Sequence, residues 1–185
     1  MITIQVTKKM KDWADREYLR FLERHGSKPF GRDSVAVTKD ILTASFLAEV
    51  GFFFAFRDAV YNREYDFYDY TLAGRKIDVK ETWTKWDPET KELHFHINEN
   101  LMNKPFDGTY VFAFVNQPMT VIKYAGWLTF DEFKEKAVQL KAGVPHLRGG
   151  RSFTTKLDVR DISTRDMHSM ESLLGIEPSN NSFAG

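Results

Sequence analysis

Cysteine is absent from the 185 residues of this chain, which excludes disulfide bonds, cysteine-ligated zinc sites and thiol nucleophiles. An excess of charge of one sign is also lacking, because 26 lysines and arginines balance 26 aspartates and glutamates. Binding to nucleic acid would therefore need a local basic patch. Long apolar runs are missing too, since the stretch 41–56 contains Glu49 and falls short of a membrane span of about 20 residues. The sequence predicts no membrane partner, no secretory signal and a cytoplasmic location.

Aromatic residues are abundant at 15%, and hydrophobic residues make up 42%, which argues against a disordered chain. The length predicts one domain with a sizeable core. We expect this domain to span residues 1–175, followed by a disordered tail at 176–185. Within the domain, the sequence predicts an N-terminal helix at 8–25, a core at about 38–141 and a basic C-terminal extension at 142–175.

The hydrophobic pattern predicts two helices, then five strands, then a third helix. The second helix is expected from Thr38 to about Tyr61, and the capping-box spacing at Thr129 predicts the third helix, which continues to about Lys141. The expected strands are 65–72, 75–83, 93–97, 110–115 and 121–125. Residues 2–6 are too short to assign, and the chain beyond Gly143 has a loop-like composition. This order predicts an α/β fold with a mixed central sheet flanked by helices.

A hairpin at Ala73-Gly74 would bring acidic residues together. With a two-residue loop, Asp69 lies opposite Asp78, and Lys80 points to the same face of the sheet. Two facing carboxylates repel each other unless a cation lies between them. The loop length stays open, because alanine is unfavourable where φ is positive and a three-residue loop would break this register.

Glu49 is a third acidic candidate, because it falls on the apolar stripe of the second helix and is directed at the sheet. A carboxylate in such surroundings is costly unless it is paired or coordinates a metal. Two interpretations follow: a buried ion pair with Lys80, or a metal ligand.

The helical Glu49 and the segment from Asp69 to Lys80, with its Asp78-Val-Lys80, resemble the PD-(D/E)xK nuclease superfamily over about residues 38–141. The resemblance implies a restriction-endonuclease-like core and Mg²⁺ as cofactor, with Mn²⁺ as a substitute. It implies that Asp69 and Asp78 bind the metal, that Glu49 completes the metal shell, and that Lys80 orients or activates water. The family's proline is missing, because Tyr68 precedes Asp69. Asp66, on the other strand face, therefore remains an alternative ligand.

The chemistry of these residue types agrees with that resemblance. Hydrolysis of a phosphodiester needs a clamp for phosphate oxygens and an activated water, and carboxylates that hold Mg²⁺ supply both. We therefore predict a Mg²⁺-dependent DNA endonuclease, and the resemblance also implies a homodimer that cuts both strands. The alternatives are a junction resolvase, an exonuclease or an RNase on the same core, or a non-catalytic nucleic-acid-binding protein. A solvated strand with alternating charges would also explain residues 75–81.

Two further groups of residues are weaker candidates. Arg148, Arg151 and Lys156 lie in the basic segment after Lys141, where they would contact DNA phosphates, although a mobile loop with incidental charge explains them too. His94 and His96 share a strand face, but two histidines without a third ligand are more typical of a solvent-facing strand.

Overall fold

The computed structural model describes residues 1–25, 39–62, 68–85, 92–104, 106–148 and 150–173. These residues form an α/β fold with four helices and eleven strands. The helices are α1 (Lys8–His25), α2 (Lys39–Ala55), α3 (Phe130–Lys136) and α4 (Met170–Leu173). The strands are β1 (Ile2–Gln5), β2 (Val60–Tyr61), β3 (Tyr70–Leu72), β4 (Arg75–Thr84), β5 (His94–Asn98), β6 (Thr109–Asn116), β7 (Val121–Thr129), β8 (Val138–Leu140), β9 (His146–Arg148), β10 (Arg151–Phe153) and β11 (Val159–Ser163).

The main sheet is mixed, as the sequence predicts, and has the order β1-β7-β6-β4-β3-β2. Strands β4 and β6 pair in parallel, whereas the other neighbours are antiparallel. The parallel pairing sets Asp78 beside Tyr110 and Lys80 beside Phe112. The candidate strand β4 therefore lies inside the sheet, supported on both sides.

Helix α2 is fixed closely against one face of this sheet. A Cβ atom on Gly51 would lie 2.6 Å from Cδ1 of Ile122 and 2.7 Å from the hydroxyl of Tyr124. That hydroxyl donates a hydrogen bond to the carbonyl of Ala48 at 2.6 Å. Glycine thus permits the close approach of helix and sheet, which sets the position of the neighbouring Glu49.

A second sheet combines strands from the expected core with a strand from the expected C-terminal extension. Its order is β5-β11-β8, and both pairings are antiparallel. Phe95 of β5 packs on Phe112 and Phe114 of the main sheet, with ring centroids 4.9 and 4.5 Å apart. The segment 142–175 therefore contributes a central strand, together with the β9-β10 hairpin, where the sequence indicated only loop.

Two predicted helix ends are wrong. Helix α2 ends at Ala55 rather than near Tyr61, because Tyr61 pairs with Tyr70 in the sheet. Helix α3 begins with the predicted capping box at Thr129 but ends at Lys136, after which the chain is extended and pairs with β11. Thr38 and the expected disordered tail lie outside the described residues. Among the described helices, none combines the length and the apolar character needed to cross a membrane.

Candidate active site

The β3-β4 hairpin has the predicted two-residue loop. Ala73 and Gly74 adopt φ values of 48° and 77°, as required in a tight turn with two left-handed residues. The expected register is present up to the pair Tyr70–Ile77. Asp69 is the residue directly before Tyr70, and its N–H donates a hydrogen bond to the carbonyl of Ile77 at 2.8 Å. The turn therefore brings Asp69 to the segment of β4 that carries Asp78.

Asp78 and Lys80 form an ion pair along one face of β4. Nζ of Lys80 lies 2.7 Å from Oδ1 of Asp78, and their side chains are 24% and 15% exposed. The ammonium also lies 5.3 Å from the ring centroid of Tyr110. Burial by itself lowers the pKa of Lys80, but the charges of Asp78 and Asp69 outweigh it and raise this pKa above its ordinary value. Lys80 therefore stays charged at neutral pH.

Asp69 lies beside this pair and is poorly compensated. Its Oδ2 accepts a hydrogen bond from the N–H of Val79 at 2.7 Å. Burial and the charge of Asp78 raise the pKa of Asp69 to about 7, against the opposing effects of Lys80 and the Val79 hydrogen bond. Burial and the charge of Asp78 both disfavour the ionised form of Asp69, and a bound cation would relieve that cost.

Glu49 reaches the same group of charges from helix α2. Burial is the main cause that raises the pKa of Glu49 well above the usual range. The charges of Asp69, Glu81 and Asp78 raise it further, and the charge of Lys80 lowers it. After burial, the charge of Asp69 is the largest effect on the pKa of Glu49.

Glu81 is a member of the cluster that the sequence reasoning missed. Its Oε2 accepts a hydrogen bond from the hydroxyl of Ser45 on α2 at 3.0 Å, and burial raises its pKa. Side chains alternate along a strand, so Glu81 shares the α2-facing side of β4 with the buried Ile77 and Val79. The alternation of apolar residues along β4 is the sequence signal that points Glu81 towards α2. It puts Glu81 on the opposite face of the strand from Lys80.

The cluster has the donor chemistry of a site for a hard divalent cation, but not a finished ligand shell. Its members are four carboxylates, Glu49, Asp69, Asp78 and Glu81, and carboxylate oxygen is the donor that Mg²⁺ prefers. Yet across the described ranges, no three side chains of histidine, aspartate or glutamate are grouped closely enough to hold a metal. Asp66, the alternative ligand, lies outside the described residues.

The three residues predicted to contact DNA have different surroundings. Nη2 of Arg148 is 2.7 Å from Oδ1 of Asp161, and its guanidinium lies over the Phe153 ring at 4.6 Å. Arg151 and Lys156, by contrast, are exposed. Arg148 is thus paired within the fold, whereas Arg151 and Lys156 face solvent.

The histidine pair on β5 contacts the same carboxylate. Nδ1 of His94 lies 3.0 Å from Oδ2 of Asp161, and Nε2 of His96 lies 3.0 Å from Oδ1. The partner of this pair is therefore a carboxylate on the adjacent strand β11, with Arg148 beside it.

No protein-family model matches the chain, and a search of curated proteins finds no matching sequence.

Proposed function

We propose that this protein is a metal-dependent nuclease with a restriction-endonuclease-like site, and that DNA is its substrate. The observation that carries the proposal is the half-buried Asp78–Lys80 pair, with Asp69 beside it. Three features support it: the Asp-x-Lys spacing on strand β4, an acidic residue directly before β3, and a glutamate on helix α2, which packs on this sheet. The excess of carboxylates over cations supports a divalent ion as the missing partner.

Each residue has a role in this proposal. Asp69 and Asp78 would hold Mg²⁺ or Mn²⁺, and Glu49 would complete the ligand set. Such an ion would supply positive charge to the phosphate oxygens and lower the pKa of a water bound to it. Lys80, held in place by Asp78, donates hydrogen bonds to the attacking water or to the phosphate oxygens that gain charge in the transition state.

A second candidate is a nucleic-acid-binding protein that has kept the fold without catalysis. The observation that favours it is that the described carboxylates do not form a preassembled metal-ligand group. The two candidates differ in one measurable property, because only the nuclease requires metal binding at Asp69 and Asp78.

Cleavage of supercoiled plasmid in Mg²⁺, Mn²⁺ or EDTA tests the proposal. We expect nicking or linearisation with either metal and none in EDTA. Asp78→Asn should abolish cleavage, whereas Asp107→Asn is the matched control, because Asp107 also pairs with a lysine of β4, Lys76, at 2.6 Å. Four-way junctions, linear DNA and RNA serve as further substrates that distinguish an endonuclease from a resolvase, an exonuclease or an RNase.

Metal binding is measured separately, by calorimetry with Mn²⁺. A protein that cleaves none of these substrates and binds no Mn²⁺ would contradict the nuclease proposal and favour the binding protein. The homodimer that would cut both strands is tested by sedimentation with and without DNA.

A further inference from the structure

A groove of about 450 Å³ follows one side of helix α1. Its lining residues are Lys9, Trp13, Arg16, Glu17, Arg20, Arg24 and Tyr61. The α1 residues among them recur at intervals of three and four, so they form a continuous stripe along the helix. We call this feature the α1 groove.

The α1 groove is strongly basic in a chain whose net charge is zero. Four cationic side chains and a single carboxylate, Glu17, line it. Glu17 is 2% exposed, and its carboxylate already has partners within the protein. Arg20 lies 2.6 Å from its Oε1, and the indole N–H of Trp13 donates a hydrogen bond to the same oxygen at 3.0 Å. Lys9 and Arg16 are exposed, and they offer positive charge to an anionic partner.

Two aromatic side chains lie between these cations. The rings of Trp13 and Tyr61 are 6.3 Å apart and nearly perpendicular, and both side chains are partly exposed. A positively charged groove with aromatic rings is typical of surfaces that bind a nucleic-acid strand, because phosphates contact the cations and bases or sugars contact the rings. A small anion would need the cations but not the length of the stripe.

One lining residue of the α1 groove, Tyr61, lies on the strand next to the candidate active site. Tyr61 is paired in register with Tyr70, and their ring centroids are 5.3 Å apart. The next residue, Asn62, donates its N–H to the carbonyl of Asp69 at 2.8 Å. The wall of the groove is therefore one strand spacing, about 5 Å, from the strand that carries Asp69.

We propose that the α1 groove binds the sugar-phosphate backbone of a nucleic-acid strand and leads that strand to Asp69. Binding in the groove stands on its charge, its rings and its length. Delivery to Asp69 rests on the proposed nuclease function.

The test compares two double variants of the full chain with the same change of charge on the same helix. Lys9→Gln with Arg16→Gln removes two groove cations, neither of which forms an ion pair with another described residue. Lys8→Gln with Lys11→Gln removes two exposed lysines that do not line the groove. Arg20 is left intact because it neutralises the buried Glu17.

Affinity is measured in EDTA, so that cleavage does not contribute, with single-stranded DNA, duplex DNA and single-stranded RNA at several salt concentrations. We expect the groove variant to bind its preferred strand at least about tenfold more weakly than the parent, with a salt slope reduced by about one to two units. The control should change affinity by less than about twofold. Equal effects of the two variants, or no binding by the parent, would overturn the inference.

Cleavage in Mg²⁺ is then measured on the same variants. A protein that binds through the groove but cleaves nothing would leave strand binding in the groove standing, and would contradict the nuclease function together with delivery to Asp69. A protein that cleaves, and whose groove variant binds and cleaves like the parent, would contradict the inference alone.

Discussion

The ammonium of Lys80 lies 2.7 Å from the carboxylate of Asp78, two residues earlier on the same strand. Strand β4 offers a direct comparison, because Lys76 lies on the same face and pairs with Asp107 at 2.6 Å. The Lys76 pair is largely exposed, whereas the Lys80 pair is half-buried among further carboxylates. The two lysines thus have similar ion pairs in different surroundings, which makes Lys76 a control for Lys80.

Lys80→Ala should lower the single-turnover cleavage rate by at least about a hundredfold, because the group that positions water or stabilises phosphate charge is lost. Metal binding and DNA affinity should be kept. In EDTA, the free energy of unfolding should fall by about 1–3 kcal/mol, since the carboxylates lose their counterion. Saturating Mg²⁺ should restore most of this loss.

The same measurements on Lys76→Ala should show an unchanged cleavage rate and a stability within about 1 kcal/mol of the parent. A normal cleavage rate in Lys80→Ala would remove Lys80 from the mechanism. A loss of stability that Mg²⁺ does not restore would make Lys80 a structural counterion.

Asp69 should make the metal-free protein less stable as the pH rises. Its pKa is raised from 3.8 to about 7 in the folded protein, chiefly by burial and by Asp78. Between these two values the folded state holds more protons than the unfolded state, so stability falls as pH rises through this window. In EDTA, the parent should therefore lose more stability between about pH 5 and pH 8 than Asp69→Asn does.

Urea unfolding at both pH values measures this difference, and comparison with the variant removes the contributions of other groups. Mg²⁺ should flatten the pH dependence of the parent, because metal binding displaces the proton from the carboxyl group. Identical pH profiles for the parent and Asp69→Asn would show that ionisation of Asp69 does not lower the free energy of unfolding.

The sequence predicted the parts of the fold whose signals are local. Helix α1 has the predicted bounds of 8–25, and the hairpin has the predicted loop and register. The end of α2 could not be read in the same way, because the chain leaves the helix after Ala55 and then pairs with β3 at Val60 and Tyr61. Apolar periodicity does not show that a later strand will compete for the same residues.

Six of the eleven described strands were not predicted, for a related reason: β1, β2, β8, β9, β10 and β11. β1 is an edge strand of four residues on β7, and β11 lies between β5 and β8, more than 60 residues after β5 begins. Short strands carry little pattern of their own and are defined by their partners. In the candidate site, Asp69, Asp78 and Lys80 were predictable from the hairpin, whereas the contribution of Glu81 depends on how α2 packs.

Ala73→Asn should stabilise the protein by about 0.5–1 kcal/mol. Ala73 has a φ of 48°, which is unfavourable for alanine but accessible to asparagine, the residue preferred before glycine in such turns. Thermal and urea unfolding measure the gain, and cleavage should be unaffected because the loop lies outside the charged cluster. Leu72→Asn, at the paired position before the turn, is the control and should be destabilising, because Leu72 is buried. A lower stability for Ala73→Asn would show that the turn does not strain alanine.

Arg148 should behave differently from the two exposed cations that the sequence grouped with it. The Asp161 side chain is 11% exposed, and Arg148 lies 2.7 Å from it. Arg148→Ala should therefore lower the free energy of unfolding by about 1–3 kcal/mol, because a largely buried carboxylate loses its permanent counterion. Arg151→Ala and Lys156→Ala should stay within about 0.5 kcal/mol of the parent, because both side chains are exposed.

The salt dependence of DNA affinity separates the structural role of Arg148 from the predicted phosphate contacts. If Arg151 and Lys156 each contact a phosphate, alanine at either position should reduce the slope of log affinity against log salt by about one unit. Arg148→Ala should leave that slope unchanged, because its guanidinium is held between Asp161 and the Phe153 ring. The opposite result, normal stability with a reduced slope in Arg148→Ala, would show that DNA draws the guanidinium away from Asp161. In that case His94 and His96, each 3.0 Å from the carboxylate, would be the side chains left in contact with it.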